Sequence, residues 1–282
     1  MKVIHLVSEL RQWRKEVGSG RVVLVPTMGA LHEGHLKLIE VARELAGPKG
    51  QVGVSIFVNP LQFGPNEDFG RYPRELEADC ARCESAAADV VFAPSVDEVY
   101  PKDRSVIILE TSLSKVLCGA SRPGHFDGVG TVVAKLFNYF TPDDAVFGTK
   151  DYQQLAIIRR MVRDLNFPLA IHGVDTVREP DGLAMSSRNR YLSTNERSEA
   201  PALRGALQLI REAFHAGETS AATLRGLALN HLSANAPSGA LDYLELVDAE
   251  NLQPVAEVNS HTVVAVAYRF SKARLIDNLE LA

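Results

Sequence analysis

The sequence predicts an α/β protein, a parallel sheet with helices on both faces, followed by a smaller C-terminal α+β domain. Three observations carry this expectation. Apolar runs of strand length alternate with longer segments of helical spacing as far as residue ~175. After Glu179-Pro180-Asp181-Gly182 the pattern changes to helices followed by strands. The length, 282 residues, suits roughly two domains of about 150.

Strands are expected at Arg21–Val25, Val52–Val58, Asp89–Phe92, Ser105–Leu109, Ala145–Phe147 and Leu169–Gly173. Between them, Leu38, Ile39, Ala42, Leu45 and Ala46 mark one face of a helix. Val129–Phe140 and Tyr152–Leu165 read as two more, the latter with Leu155, Ile158, Val162 and Leu165 at helical spacing. Such alternation gives a Rossmann-like parallel sheet over residues 1–175. In the second domain, residues 176–282, Ser193 opens an S-x-x-E capping box with Glu196. The helix it starts is expected to run through Leu203, Leu207, Ile210 and Phe214 and to stop at Gly217. A further helix begins near Thr219-Ser220, and Leu241–Val247, His261–Tyr268 and Arg274–Ile276 read as strands.

Composition excludes several classes. With 46% apolar residues the chain can fill a sizeable core, which removes disorder and disulfide-dependent scaffolds. A net charge of −5 argues against a nucleic-acid or membrane-coating role, while leaving room for a local cationic pocket. Three cysteines are too few for a disulfide framework. Cys80 and Cys83 form a C-x-x-C with no second pair, inside a stretch whose charges look helical. The first residues lack a signal peptide's apolar core, and no apolar run spans a bilayer, so a cytoplasmic location is expected.

The most informative stretch is Val22-Val23-Leu24-Val25-Pro26-Thr27-Met28-Gly29-Ala30-Leu31-His32-Glu33-Gly34-His35. A buried strand is expected to break at Pro26, the chain then passing through Gly29 into His-x-Gly-His at the mouth of a helix. In an open α/β sheet, ligands sit outside the carboxyl ends of the strands. A helix starting there offers N–H groups and a positive dipole end to an anion. His32 and His35 share a face, so two imidazoles can meet phosphate oxygens and the charge that builds up on a phosphoryl centre under attack. Neither a P-loop nor a G-x-G-x-x-G fingerprint is present.

Four later segments are expected over the same sheet edge. Asn59-Pro60 ends the second strand, and Gln62 follows among apolar neighbours; a carboxamide can donate and accept, which suits carboxylates and hydroxyls. Pro123-Gly124-His125-Phe126-Asp127-Gly128 is a Gly-rich loop whose His125 is either a ligand contact or a plain loop residue. In Phe147-Gly148-Thr149-Lys150-Asp151, Lys150 supplies a mobile charge for phosphate, and Asp151 suits a first helical turn in any case. Finally, Met185-Ser186-Ser187-Arg188 places two hydroxyls beside a guanidinium at the domain junction, a compact phosphate-binding set or a solvated turn.

Taken in order, Pro26–His35, Phe57–Phe63, Lys150–Gln154 and Asp181–Leu192 resemble the motifs of the pantoate–β-alanine ligases, the pantothenate synthetase family of the His-x-Gly-His nucleotidyltransferase superfamily. Similarity returns in Asp242–Glu245 and Arg274–Asn278. The resemblance implies ATP-dependent joining of (R)-pantoate to β-alanine through a pantoyl adenylate, releasing pyrophosphate and AMP, with Mg²⁺ on the phosphates and a homodimeric enzyme. It implies an ATP site of Met28, Gly29, Ala30, Leu31, His32, Glu33, Gly34, His35, Gly148, Thr149, Lys150, Asp151, Val177, Met185, Ser186, Ser187 and Arg188, spanning the two domains. His35 would be the general acid, with His32, Lys150, Ser186, Ser187 and Arg188 stabilising charge; Gln62 and Gln154 would hold pantoate, Gln62 also facing β-alanine. The chain departs from the family in Thr149, where Glu is usual, and in Ala78 before Asp79, the acidic residue at a position of possible metal contact. A related nucleotidyltransferase would keep the histidines without needing Gln62 and Gln154, and a non-catalytic nucleotide-binding module would not need the full cationic set.

Overall fold

The protein is described here by a computed structural model covering residues 1–65 and 67–281. Its elements, in chain order, begin β1 (Lys2–Ile4), α1 (Val7–Val17), β2 (Val22–Thr27), α2 (Glu33–Ala46), β3 (Gln51–Ile56), α3 (Leu76–Ser85), β4 (Val90–Phe92), α4 (Val96–Val99) and α5 (Leu117–Ser121). They continue α6 (His125–Phe140), β5 (Asp144–Gly148), α7 (Tyr152–Asp164), β6 (Ala170–Val174), α8 (Thr194–Glu199), α9 (Ala202–His215), α10 (Ala221–Asn235), β7 (Ala240–Asp248), β8 (Thr262–Arg269) and β9 (Arg274–Glu280).

The chain forms two compact units interleaved in sequence. The first takes Met1–Thr111, Arg122–Thr149 and Gln154–Asp175; the second takes Ser112–Ser121, Lys150–Gln153 and Thr176–Ala282.

In the first unit, six strands lie in the order β1-β4-β3-β2-β5-β6. Every pairing is parallel. Such strands are buried on both faces, which explains why β2 reads as the unbroken run Val22-Val23-Leu24-Val25, all inaccessible. One face packs Val23, Val25, Val52 and Val54 on Leu38, Ile39 and Ala42 of α2. On the aromatic side, Trp13 of α1, Phe92 of β4 and Phe140 of α6 meet edge to face. Burying each such side chain contributes about 1.5–3 kcal/mol. The chain leaves β2 toward β3 and β4 on one side and reaches β5 and β6 on the other, so the topological switch lies at β2 and β5.

The second unit holds the antiparallel sheet β7-β8-β9. Leu203, Leu207 and Ile210 of α9 pack with Leu224, Ala228 and Leu232 of α10 against Val264 and Val266 of β8. The Ser193–Glu196 capping box is present, with each side chain accepting the other's backbone N–H.

Three expectations need correction, the first at Pro26, where β2 does not break but continues to Thr27, Pro26 lying opposite Ser55 of β3. The helix expected from Ser193 to Gly217 is two, because Pro201 interrupts between α8 and α9 and has no N–H to continue the ladder. The expected strand Ser105–Leu109 joins neither sheet. Its Ile108 N–H is taken by the Thr131 hydroxyl at 2.9 Å, while Val106, Ile107 and Leu109 are 82%, 59% and 63% exposed. The edge strand β1, only three residues long, carries too little pattern to have been expected.

Candidate active site

Within the first unit the site is built on the turn that follows β2. Thr27 closes the strand: its hydroxyl donates to the Ser55 carbonyl at 2.7 Å and accepts from Gly29 N–H at 3.2 Å. Gly29 (φ 83°) and Ala30 (φ 51°) then both enter the left-handed region. At Gly29 a Cβ would lie 2.9 Å from an Asp79 oxygen and 3.0 Å from Ile56, so the turn has no room for a side chain there. Ala30 has no such freedom, and its conformation must be held from outside. Asp79 of α3 holds it. One carboxylate oxygen accepts Ala30 N–H at 2.8 Å and the other accepts Leu31 N–H at 2.8 Å.

Held this way, the chain delivers His32 as the N-cap of α2. The His32 Nδ1 accepts Gly34 N–H at 3.2 Å, and the His35 Nδ1 accepts His32 N–H at 3.3 Å. The two histidines therefore form a reciprocal capping box, the arrangement usually made by Ser or Thr with Glu. The rings lie 4.1 Å apart. Because each Nδ1 accepts a backbone N–H, the proton of the neutral ring sits on Nε2. Both side chains are thus donors at the N-terminal end of a helix, beside the sheet's switch point.

Gln62 belongs to the same unit and is brought to this turn: its Nε2 donates to the Met28 sulfur at 3.2 Å. It closes the short 3₁₀ turn Pro60–Gln62, capped by Asn59. Helix α6 lies directly on this turn, since a Cβ at Gly128 would come within 2.4 Å of the Leu61 carbonyl oxygen. His125 Nδ1 is 2.8 Å from the Gln62 carbonyl oxygen, and Arg122, paired with Glu67, donates to it at 3.1 Å. His125 is therefore tied to the Gln62 backbone. Gly148 ends β5, Thr149 follows it, and Gln154 is half-buried on α7.

A cavity of about 310 Å³ opens at this edge between Met28, Gly29, Phe57, Val58, Arg74 and Ser95. Asp79 contributes to its wall but is 1% exposed. Among the described residues no group of three His, Cys, Asp or Glu is gathered to hold a metal ion. Both oxygens of Asp79 accept backbone N–H groups of the turn.

The second unit carries the remaining expected residues. The Lys150 carbonyl accepts from Asn278 at 2.8 Å, and Asp151 is exposed. Val177 and Met185 close a small antiparallel turn, Met185 N–H donating to the Val177 carbonyl at 3.0 Å. Arg178 anchors that turn to Asp277 on β9 through two hydrogen bonds of 2.7 and 2.9 Å. Ser186 caps the following 3₁₀ turn by accepting Arg188 N–H at 3.2 Å, and Ser187 is buried. Met185–Arg188 is therefore a braced loop, and a solvated turn does not describe it. Asp242, in another segment of the resemblance, binds Arg269 and Arg274.

Sequence reasoning missed Asn59, whose Nδ2 donates to the Gln62 side chain at 3.0 Å, and Asn278 as a donor to the Lys150 carbonyl. Asn59 had a signal, a polar residue placed before proline at a strand end.

The pantoate-beta-alanine ligase family profile matches residues 2–280. The chain belongs to the pantoate–β-alanine ligase family. It is 53% identical over 267 residues to the pantothenate synthetase of Akkermansia muciniphila, covering 92% of each chain. It is 51% identical over 281 residues to that of Heliobacterium modesticaldum, covering 99% of each. The crystal structure of pantothenate synthetase from Thermus thermophilus superposes with a TM-score of 0.93 at 48% identity, covering 100% of this chain and 99% of that one. The pantoate–β-alanine ligase of Francisella tularensis, complexed with β,γ-ATP and β-alanine, gives a TM-score of 0.83 at 32% identity over 100% and 98% of the two chains. The ligase thus shares both the parallel sheet and the small antiparallel sheet of its family. No helix among its described residues is long and apolar enough to cross a membrane.

Proposed function

We propose that this ligase activates (R)-pantoate with ATP and passes the acyl group to β-alanine. A pantoate carboxylate oxygen attacks the α-phosphorus, the bond to the β-phosphate oxygen breaks, and pyrophosphate leaves. The neutral amine of β-alanine then attacks the acyl carbon of pantoyl adenylate, the carbon–oxygen bond to AMP breaks, and the amine gives up a proton to solvent. The observation that carries this reading is the His32–His35 pair, fixed as two Nε2–H donors at a helix N-terminus on the switch point. Such donors stabilise negative charge at the attacked phosphorus without transferring a proton.

In this reading the Met28–His35 turn, Gly148–Asp151, Val177 and Met185–Arg188 bind ATP. Lys150, Ser186, Ser187 and Arg188 carry cation and hydroxyl donors to its phosphates, offsetting the repulsion between carboxylate and triphosphate. Gln62 and Gln154 bind pantoate, and Gln62 also faces β-alanine. The Mg²⁺ that accompanies ATP is assigned to the triphosphate oxygens, because Asp79 commits both of its own to backbone N–H groups. No step above runs through it. Residues 1–175 and 176–282 remain our division into an acyl- and nucleotide-binding domain and a smaller partner domain. We assign the enzyme to the cytoplasm, and to a homodimer in which a second copy covers Val106, Ile107 and Leu109, an exposed apolar run that joins neither sheet.

Pyrophosphate release tests the substrate assignment. It should require pantoate and cease when phosphopantetheine replaces it; release with phosphopantetheine would instead indicate a nucleotidyltransferase of the same superfamily.

A further inference from the structure

The assignment of Gln62 to the acyl substrate leaves open which end of its carboxamide meets that substrate. The two ends are opposite in chemistry, one a donor and the other an acceptor. Its neighbours decide between them, and they can be followed outward to groups whose roles are fixed.

Asn59 is 1% exposed and lies between two backbone groups that permit one orientation of its amide. The Gly128 carbonyl, 3.0 Å from one end, can only accept, so that end is Nδ2. The Leu61 N–H, 3.3 Å from the other end, can only donate, so that end is Oδ1. Tyr100, 4% exposed, points its hydroxyl at the same Oδ1 from 2.8 Å, and therefore donates. Burial pushes the Tyr100 hydroxyl well above the usual phenol range, which keeps that proton in place.

The second donor hydrogen on Asn59 Nδ2 faces the Gln62 side chain at 3.0 Å. Because Nδ2 only donates, the Gln62 atom facing it is Oε1. What Gln62 has left is Nε2, a strong donor resting on the Met28 thioether, a weak acceptor. A carboxylate or hydroxyl oxygen of a substrate offers that donor a better partner.

Building on the assignment of Gln62 to pantoate, we propose that Tyr100 is a positioning residue which, through Asn59, locks Gln62 as a donor toward an oxygen of the acyl substrate. Tyr100 touches no reactant in this arrangement. Its ring packs against Phe57 with centroids 6.0 Å apart. Its hydroxyl completes the pair of donors on Asn59 Oδ1. Without it, Oδ1 keeps only the longer Leu61 contact and the amide is held in register less firmly. The site consequently discriminates by what it cannot do: an acyl substrate presenting a donor at this point would face the Gln62 N–H groups and lose the contact.

The test is a double-mutant cycle on the first half-reaction, read as pantoate-dependent exchange of labelled pyrophosphate into ATP, with no β-alanine present. Tyr100→Phe should raise the KM for pantoate about fivefold, the worth of one hydrogen bond of about 1 kcal/mol, with the KM for ATP within about twofold. In a Gln62→Ala background the same change should have no further effect on pantoate, since the residue it positions is gone. Gln62→Glu, which still accepts from Asn59 but has no N–H to offer, should raise the pantoate KM at least as far as Gln62→Ala. The inference is overturned if Tyr100→Phe raises the pantoate KM by the same factor in both backgrounds. A parallel rise in the KM for ATP would overturn it too, by revealing a general loss of structure. So would a Gln62→Glu enzyme with wild-type pantoate KM, and that arm stands even if Tyr100→Phe does not fold. Absence of exchange in the wild-type enzyme is a distinct result: it overturns the reading of the reaction, and this inference with it.

Discussion

Asp79 accepts the N–H of Ala30 at 2.8 Å while Ala30 sits at φ 51°, a left-handed conformation that costs a non-glycine residue free energy. The carboxylate is what keeps the turn ahead of His32 in place. Its second oxygen takes Leu31 N–H, so removing the side chain orphans two buried donors at about 1–3 kcal/mol each.

Asp79→Asn retains the volume but can accept with only one end. It should lower thermal stability and reduce adenylation at least tenfold, with the Mg²⁺ concentration for half-maximal activity unchanged. Titrating the variant with Mg²⁺ checks this. A large rise in the Mg²⁺ requirement with the fold intact would make Asp79 a metal ligand instead.

His32 caps α2, and in the proposed reaction it also donates to phosphate, two jobs that substitution can separate. As an N-cap it needs only an acceptor, which Asn supplies well. His32→Asn should therefore leave stability within about 0.5 kcal/mol of wild type. As a donor to phosphate its imidazole has no replacement at that reach, and adenylation should fall by about 10²–10³. Chemical denaturation and single-turnover AMP formation read the two effects independently.

Much of this was legible in the chain, for local reasons. Val22–Val25 announces a strand because both of its faces are buried, and His-x-Gly-His announces a helix start because its residues act within one turn. What stayed hidden is non-local. Asp79 reaches Ala30 from 49 positions away, and nothing in its own segment marks that contact. Tyr100 reaches Asn59 across 41 positions, with nothing in either segment to mark the pairing. Thr149 in place of the usual Glu was visible at once, yet nothing in the structure gives that substitution a consequence.

Glu196 sets an acid limit on the second unit. Its carboxylate accepts Ser193 N–H and Ser271 N–H, both at 2.8 Å, and these bonds hold its pKa at about 2, against an ordinary 4.5. A group whose folded pKa is depressed stabilises the fold above its ordinary pKa and loses that contribution as pH falls toward the folded value. The stability advantage of wild type over Glu196→Gln should be full at about pH 7 and shrink between about pH 4.5 and 2. Urea unfolding across that range measures it; a constant difference would remove the carboxylate from the acid response.

Val106, at 82% exposure, is the most exposed apolar side chain of its segment. If a second copy covers it, Val106→Asp should shift the protein from dimer to monomer in sedimentation equilibrium without unfolding it. An unchanged mass would place the interface elsewhere.

The central claim is that pantoate is activated as a bound acyl adenylate before β-alanine takes part. Positional isotope exchange addresses it most directly, using ATP labelled with ¹⁸O in the oxygen bridging the α- and β-phosphates. With pantoate present and β-alanine absent, the label should move into non-bridging positions of the β-phosphate, because pyrophosphate forms, rotates and recombines. No movement of label with pantoate, under conditions where the complete mixture yields AMP, would contradict the account.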